Sequence, residues 1–289
     1  MLAQTYSGPP RATRVRPNSL LLIIPAYNEE LCIAQVVSRA RAMLPHADVL
    51  VVDDGSRDAT ALVAWQAGAL VLSLPFNLGI GGAVQTGLKY AKRHDYELVV
   101  RVDGDGQHDP EELLRLLEVV RAGGADVAIG SRFLENMSLQ RISVTRRLGI
   151  KLFAWEVSLL TGRRATDTTS GMTAMNRRAI HVLATHMPQD YPEVEARIIL
   201  HRAGLTIVEI PVHMEERQAG VSSINSWRSI YYAMKVSLAV LLTTLKEIPA
   251  LPAPGSEETH VDRSIIDRYR PEPSPVDHRV PAHSGTPTS

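Results

Sequence analysis

Residues 97–122 read ELVVRVDGDGQHDPEELLRLLEVVRA, an apolar run that ends in closely spaced acids and passes at once into a helix-like repeat. Its opening residues have the β-rich character of a strand, and PEELLRLLEVVRA carries leucine and valine at helical spacing. A strand that turns through an acidic loop into a helix is the building block of a βαβ unit. Strand-like runs of the same kind stand at LLLII (20–24), VLVVD (49–53), ALVLS (69–73) and DVAIGS (126–131), with helix-like EELCIAQVVSRARAML (29–44) and AVQTGLKYAKRH (83–94) between them. The alternation predicts a doubly wound α/β fold with a mainly parallel central sheet. Ligands of such sheets bind beyond the carboxyl ends of the strands. The loops to inspect are therefore PAYNEE (25–30), DDGSRDAT (53–60), PFNLGIGG (75–82) and DGDGQHDP (103–110).

Composition narrows the classes. A chain of 289 residues with 45% hydrophobic content can bury one large or two small cores. A formal net charge of zero and a pI near 7.2 exclude a globally basic nucleic-acid binder. The single cysteine, Cys32, excludes an intramolecular disulfide framework, and no leader-like run precedes the first strand, so a cytoplasmic protein is expected. No apolar run reaches the roughly 18 residues a spanning helix needs. Residues 1–19 and the proline-rich stretch 249–289 are expected to be disordered tails around a catalytic domain at 20–225 and a helix at 226–248.

Three of the four loops are acidic, which calls for a positive ligand. In extended chain, residues i and i+2 face one side, so Asp103 and Asp105 can point together with Gln107 next in phase. Two carboxylates held close favour a hard divalent cation, Mg²⁺ or Mn²⁺, with positions left for phosphate oxygens. The competing reading is solvated loop acids or helix caps; Asp109, before Pro110 and three residues before Glu112, has the capping-box arrangement. A calcium-binding EF-hand loop is excluded, because His108 and Leu114 stand where Gly and Glu are required. NLGIGGAVQTG lacks the third glycine of a dinucleotide fingerprint, having Val84 there, and reads as glycines opening a helix at Ala83 with Asn77 organising the turn. No G-x-S-x-G elbow supports a serine hydrolase.

Taken in order, LLIIPAYNEE, VLVVDDGSRDAT, NLGIGGAVQTGLKYA, VVRVDGDGQHDP and DTTSGMTAMNRRAI closely resemble the family 2 glycosyltransferases, over about Leu20 to Leu245, and most of all those that act on dolichyl or polyprenyl phosphate. The resemblance implies a glycosyltransferase A-type fold and an inverting hexose transfer from a nucleotide-sugar donor, such as GDP-mannose or UDP-glucose, to a polyprenyl-phosphate acceptor. It implies donor-binding roles for Pro25, Tyr27, Glu29, Asp53, Asp54, Asp103, Arg132 and Ser222, and metal ligation by Asp103, Asp105 and Gln107. Asp105, Arg217 and Glu195 are the implied catalytic residues, an arginine fork being suited to phosphate oxygens. Helix capping is the competing role for Asp54. Relatives often carry Phe and Arg after the TSG turn, where Met172 and Thr173 stand here, so one phosphate ligand is missing. An acceptor hydroxyl on a growing glycan is the alternative, and it would need Glu193 or Glu195 as a base. A catalytically silent nucleotide-sugar scaffold is a third reading.

SWRSIYYAMKVSLAVLLTTLK (226–246) places apolar side chains on one helical stripe with Arg228, Lys235 and Lys246 beside it, and RRLGIKLFAWEVSLL (146–160) is a second amphipathic candidate. Both suit a membrane interface, and both equally suit a helix that covers the sheet or forms a dimer contact. A protein peripheral to the inner face of the cytoplasmic membrane, working with an integral membrane partner, is expected.

Overall fold

The computed structural model of the chain describes residues 5–6, 19–104, 110–134, 144–212 and 226–250. Among these, the elements in chain order are β1 (Thr5–Tyr6), β2 (Leu20–Ala26), α1 (Ile33–Met43), β3 (Asp48–Asp53), α2 (Thr60–Gln66), β4 (Leu70–Ser73), α3 (Gly79–Arg93) and β5 (Leu98–Arg101). They continue with α4 (Pro110–Arg121), β6 (Val127–Ser131), α5 (Val144–Thr161), β7 (Thr173–Asn176), α6 (Arg177–His186), α7 (Pro192–Arg202), β8 (Ile207–Pro211) and α8 (Ser226–Leu245).

The strands form one sheet in the order β1-β4-β3-β2-β5-β7-β6-β8. Strands β4, β3, β2 and β5 are parallel, as the alternation of strand-like and helix-like runs predicts. All seven positions of β2 are buried, which fits a central parallel strand covered on both faces. Its side chains alternate between two cores: Leu22 and Ile24 join the cluster that includes Ile33, Val37 and Leu116, whereas Leu21 and Ile23 join Leu88 and Ile180 on the other face.

Three features depart from expectation. Thr5–Tyr6, inside the segment expected to be a tail, pairs antiparallel with β4. Helix α3 begins at Gly79 rather than Ala83, and the amides of Leu78 and Gly79 at its start donate to the Asp54 carboxylate. Strand β7 is inserted antiparallel between β5 and β6, with Arg101 opposite Thr173 and Val127 opposite Met175. The chain thus returns through the middle of the sheet, and the turn at 170–172 lies at the carboxyl end of β5.

Helix α8 belongs to the folded body. Val236 and Val240 are fully buried with Phe153 and Val157 of α5 and Val194 and Ile198 of α7. The polar hub at the opposite end of the sheet is Asp126, which accepts from the Asn176 amide group, the Arg178 guanidinium and the backbone N–H of Thr206.

Candidate active site

The chain runs outward from β2 through β3 to β4 and then crosses back to β5 on the other side of β2, so the crevice at the carboxyl ends of β2 and β5 is the switch point of the sheet. A cleft of about 360 Å³ opens there. Pro25, Ala26 and Tyr27 come from the end of β2, Arg101, Asp103 and Gly104 from the end of β5, Asn77 from the turn before α3, Gly79, Ile80 and Ala83 from its start, and Glu193 from α7.

The rim is built by cross-loop hydrogen bonds. Asn28 donates its N–H to Ser56 Oγ at 2.9 Å and accepts from the N–H of Arg57 at 2.9 Å, while the N–H of Glu29 donates to Thr60 Oγ1 at 2.8 Å. Gly55 has φ of +71°, and a Cβ there would run into the backbone of Phe76, so this turn requires glycine. The PAYNEE and DDGSRDAT loops are thereby held as one wall. Asn77 Oδ1 accepts from the N–H of Gly79 at 3.0 Å, the turn-organising role expected for it.

Tyr27 is 41% exposed on this wall and lines the cleft with Pro25 and Glu29, a ring face open to a planar ligand. Asp53 is buried and accepts from the N–H of Ser56 at 3.1 Å. Asp54 also borders the cleft, but its two oxygens take the N–H groups of Leu78 at 2.7 Å and Gly79 at 2.9 Å. Its carboxyl is pushed above the usual aspartate range by burial, those two bonds opposing the effect and neighbouring Asp53 adding to it. Asp54 is therefore the anchor of α3, the capping role the sequence left open.

On the opposite wall Asp103 packs against Gly171, where a Cβ would overlap both carboxylate oxygens. The antiparallel return of β7 makes that contact. Arg101 lies beneath, 4% exposed, and its Nη2 donates to Asp103 Oδ1 at 3.2 Å and to Glu193 Oε1 at 2.8 Å. Burial works against its charge, and the carboxylates of Glu193 and then Asp103 outweigh it, so its pKa stays above the ordinary arginine value.

Glu195 is not in the cleft. Residues two apart on a helix point to different sides, and with Glu193 at the cleft Glu195 turns toward α8, where Thr243 Oγ1 donates to it at 2.5 Å and Lys246 Nζ stands 3.7 Å away. Arg132 does not line the cleft and its hydrogen bonds go to Asp167 and Thr169, although its charge is near enough to act on Asp103. Its Nε and Nη2 grip Asp167 at 2.6 and 2.8 Å, and Nη2 also reaches Thr169 Oγ1 at 2.6 Å. Asp105, Gln107, Asp109, Arg217 and Ser222 lie outside the described residues.

Residues 21–183 match the family described as glycosyl transferase family 2. The chain belongs to that family. The transferase is 34% identical over 218 residues to an undecaprenyl-phosphate mannosyltransferase of Micrococcus luteus, covering 71% of this chain and 87% of the relative. It is 33% identical over 221 residues to a polyprenol monophosphomannose synthase of Mycolicibacterium smegmatis, covering 73% and 83%. Its fold matches that of glucosyl-3-phosphoglycerate synthase from Mycobacterium tuberculosis, solved with Mn²⁺ and UDP-glucose, with a TM-score of 0.57, 20% identity and coverage of 78% and 79%. The glycosyltransferase A-type architecture expected from the motifs is thus the architecture of this chain.

The cleft of the transferase offers oxygen donors of the kind a divalent cation takes, but among the described residues no three acidic, histidine or cysteine side chains converge as a metal site. The ionisable side chains lining it among the described residues are the carboxylates of Glu29, Asp54, Asp103 and Glu193, with Tyr27 and Arg101, and neither thiol nor imidazole is among them. Hard oxygen donors of this kind suit Mg²⁺ or Mn²⁺. The residue that sequence reasoning missed is Arg101. Its signal was present, since an arginine within an apolar run and in phase with Asp103 has to be buried with a partner.

Proposed function

We propose that this transferase moves a hexose from a nucleotide-diphosphate sugar of the GDP-mannose or UDP-glucose kind to a polyprenyl or dolichyl phosphate at a membrane surface, with inversion. The observation that carries the reading is the combination of an acidic switch-point cleft with outward apolar stripes on α5 and α8. Trp155 and Leu159 on α5 are 63% and 67% exposed, and Leu238, Leu241 and Leu245 on α8 are 56%, 54% and 74% exposed. The opposite sides of both helices are buried together, and exposed Lys151 and Lys246 flank the stripes. Apolar side chains bordered by cations match the interface of an anionic bilayer. The relatives named for undecaprenyl-phosphate and polyprenol substrates support the same acceptor.

In this mechanism Tyr27 offers its ring to the base, Asp53, buried behind the cleft wall, accepts a base N–H, and Asp103 with Asp105 and Gln107 would hold the Mg²⁺ or Mn²⁺ that meets the diphosphate. The cation, when bound, neutralises charge developing on the leaving nucleotide. The walls hold donor and acceptor in line, so positioning and electrostatics supply the rate. A phosphate acceptor is already ionised near neutral pH and needs no base. A hydroxyl acceptor would need one, and that alternative loses support because Glu195 turns to α8 and Glu193 is paired with Arg101. Arg217 and Ser222 are proposed to close over the diphosphate, and an integral membrane protein is proposed as a partner that presents the lipid.

Thermal unfolding with GDP-, UDP- and dTDP-sugars, each with and without Mn²⁺, tests the donor assignment. One nucleotide class is expected to raise the unfolding temperature in a metal-dependent way. No shift with any donor would argue against donor binding by the chain alone, leaving a scaffold or a site completed by the membrane partner. Flotation tests the membrane assignment: the protein is expected to rise with liposomes containing anionic lipid, and Leu241→Glu with Leu245→Glu to stay behind. Flotation with native membrane vesicles alone would move docking from the lipid to a protein partner.

A further inference from the structure

Arg101 poses a problem for a cation site. Its Nη2 sits 3.2 Å from Asp103 Oδ1, the carboxylate that the proposed function gives to the divalent ion, and a guanidinium so placed repels any cation arriving there. Arg101 cannot retreat to water, because its side chain is 5% exposed and its Nε is buried without a hydrogen-bond partner among the described residues. The closer bond of the same nitrogen is to Glu193 Oε1, at 2.8 Å. Glu193 stands in the first turn of α7, where the helix dipole favours a carboxylate, and Pro192 begins that helix. One guanidinium is therefore shared between two carboxylates that hang from different elements of the fold.

We infer that Glu193 is a positioning residue for the donor-bound cation: it holds the Arg101 guanidinium, so that Asp103 can exchange its bond to Arg101 for a divalent ion. This rests on the reading that Asp103 meets the metal. With Glu193 ionised and close, the arginine keeps a full ion pair when Asp103 turns to the cation, and the repulsion between guanidinium and metal is offset. Without that negative charge, Arg101 has one carboxylate left, and it competes with the metal for it.

Mn²⁺ binding followed by electron paramagnetic resonance, with GDP or with UDP present, separates this from a merely structural ion pair. Glu193→Gln keeps the shape of the side chain and is expected to weaken Mn²⁺ binding about tenfold or more. Combining it with Arg101→Met removes the competing cation and is expected to restore affinity to near the wild-type value, while Arg101→Met alone binds at least as tightly as wild type. Thermal unfolding of each variant shows that it is folded; a structural pair would lower stability in all three and leave Mn²⁺ affinity unchanged. Wild-type affinity in Glu193→Gln, failure of the double variant to recover, or a tenfold loss in Arg101→Met overturns the inference and leaves the Asp103 assignment standing. If the wild type binds no Mn²⁺ with either nucleotide, or Asp103→Asn binds it as the wild type does, the Asp103 assignment falls and the inference falls with it.

Discussion

Replacing Asp103 by asparagine is expected to lower the rate of sugar transfer by roughly a hundred- to a thousandfold, the usual cost of removing one element of electrostatic stabilisation from a reacting centre. The fold is expected to survive. Asp103 is one-third exposed at the cleft, asparagine is nearly the same shape, and Arg101 keeps Glu193 as its nearer partner. Initial rates with the donor identified by thermal shift, together with circular dichroism on heating, separate the two effects. A variant with wild-type rate removes the carboxylate from the mechanism, and a variant that fails to fold shows that its bond to Arg101 holds the strand end together. Asp105→Ala, which rests on sequence alone, is expected to abolish transfer in the same assay.

The second large effect concerns stability. Asp167 is completely buried, accepts the fork of Arg132 through Nε and Nη2, takes the backbone N–H of Thr169 at 3.1 Å, and receives Arg197 on its own carbonyl at 2.5 Å. Asp167→Ala strands the Arg132 charge in a largely buried place, and breaking a buried pair from one side costs about 3–5 kcal/mol. Urea denaturation is expected to show a loss of that order; less than about 1 kcal/mol would mean that Arg132 finds another partner. Burial alone would push the Asp167 carboxyl up, but the bonds and charge of Arg132 outweigh it and hold the group below the ordinary aspartate value. The sign follows. A depressed folded pKa gives stability that is present above the unfolded value, about 4, and is lost as the pH falls through the folded one. The wild type is therefore expected to lose stability on acidification below about pH 4 more steeply than Asp167→Ala.

The parallel half of the sheet was legible because β2, β3 and β5 are buried on both faces and leave near-continuous apolar runs in the sequence. Strand β7 was not. TAMN is four residues long, only its middle pair is buried, and its antiparallel direction is set by tertiary pairing rather than by pattern. The cleft wall formed by the PAYNEE and DDGSRDAT loops was legible as motifs, and Pro25, Tyr27, Glu29 and Asp103 do meet at one cleft with Asp53 buried in the adjoining turn. Glu195 faces α8 and Arg132 grips Asp167 for a common reason. Both have the chemistry of a site residue, but which way a charged side chain turns depends on the partners folding supplies, here Thr243 and Asp167. Arg101 lies within the strand run itself, and its burial in the folded sheet marks it as a charge obliged to pair.

The place of β7 also orders the events of synthesis. Strand β6 pairs with β7 and β8, not with β5, so when residues 127–131 leave the ribosome they have no sheet edge to join. Four parallel strands can assemble early, and their growing edge at β5 stays open until residues 173–176 emerge, seconds later at synthesis rates of roughly 5–20 residues per second. An open apolar edge is a hazard for a nascent chain. The same delay withholds Gly171 from Asp103, so a translating chain passes through a stage with one wall of the cleft formed and no finished wall facing it.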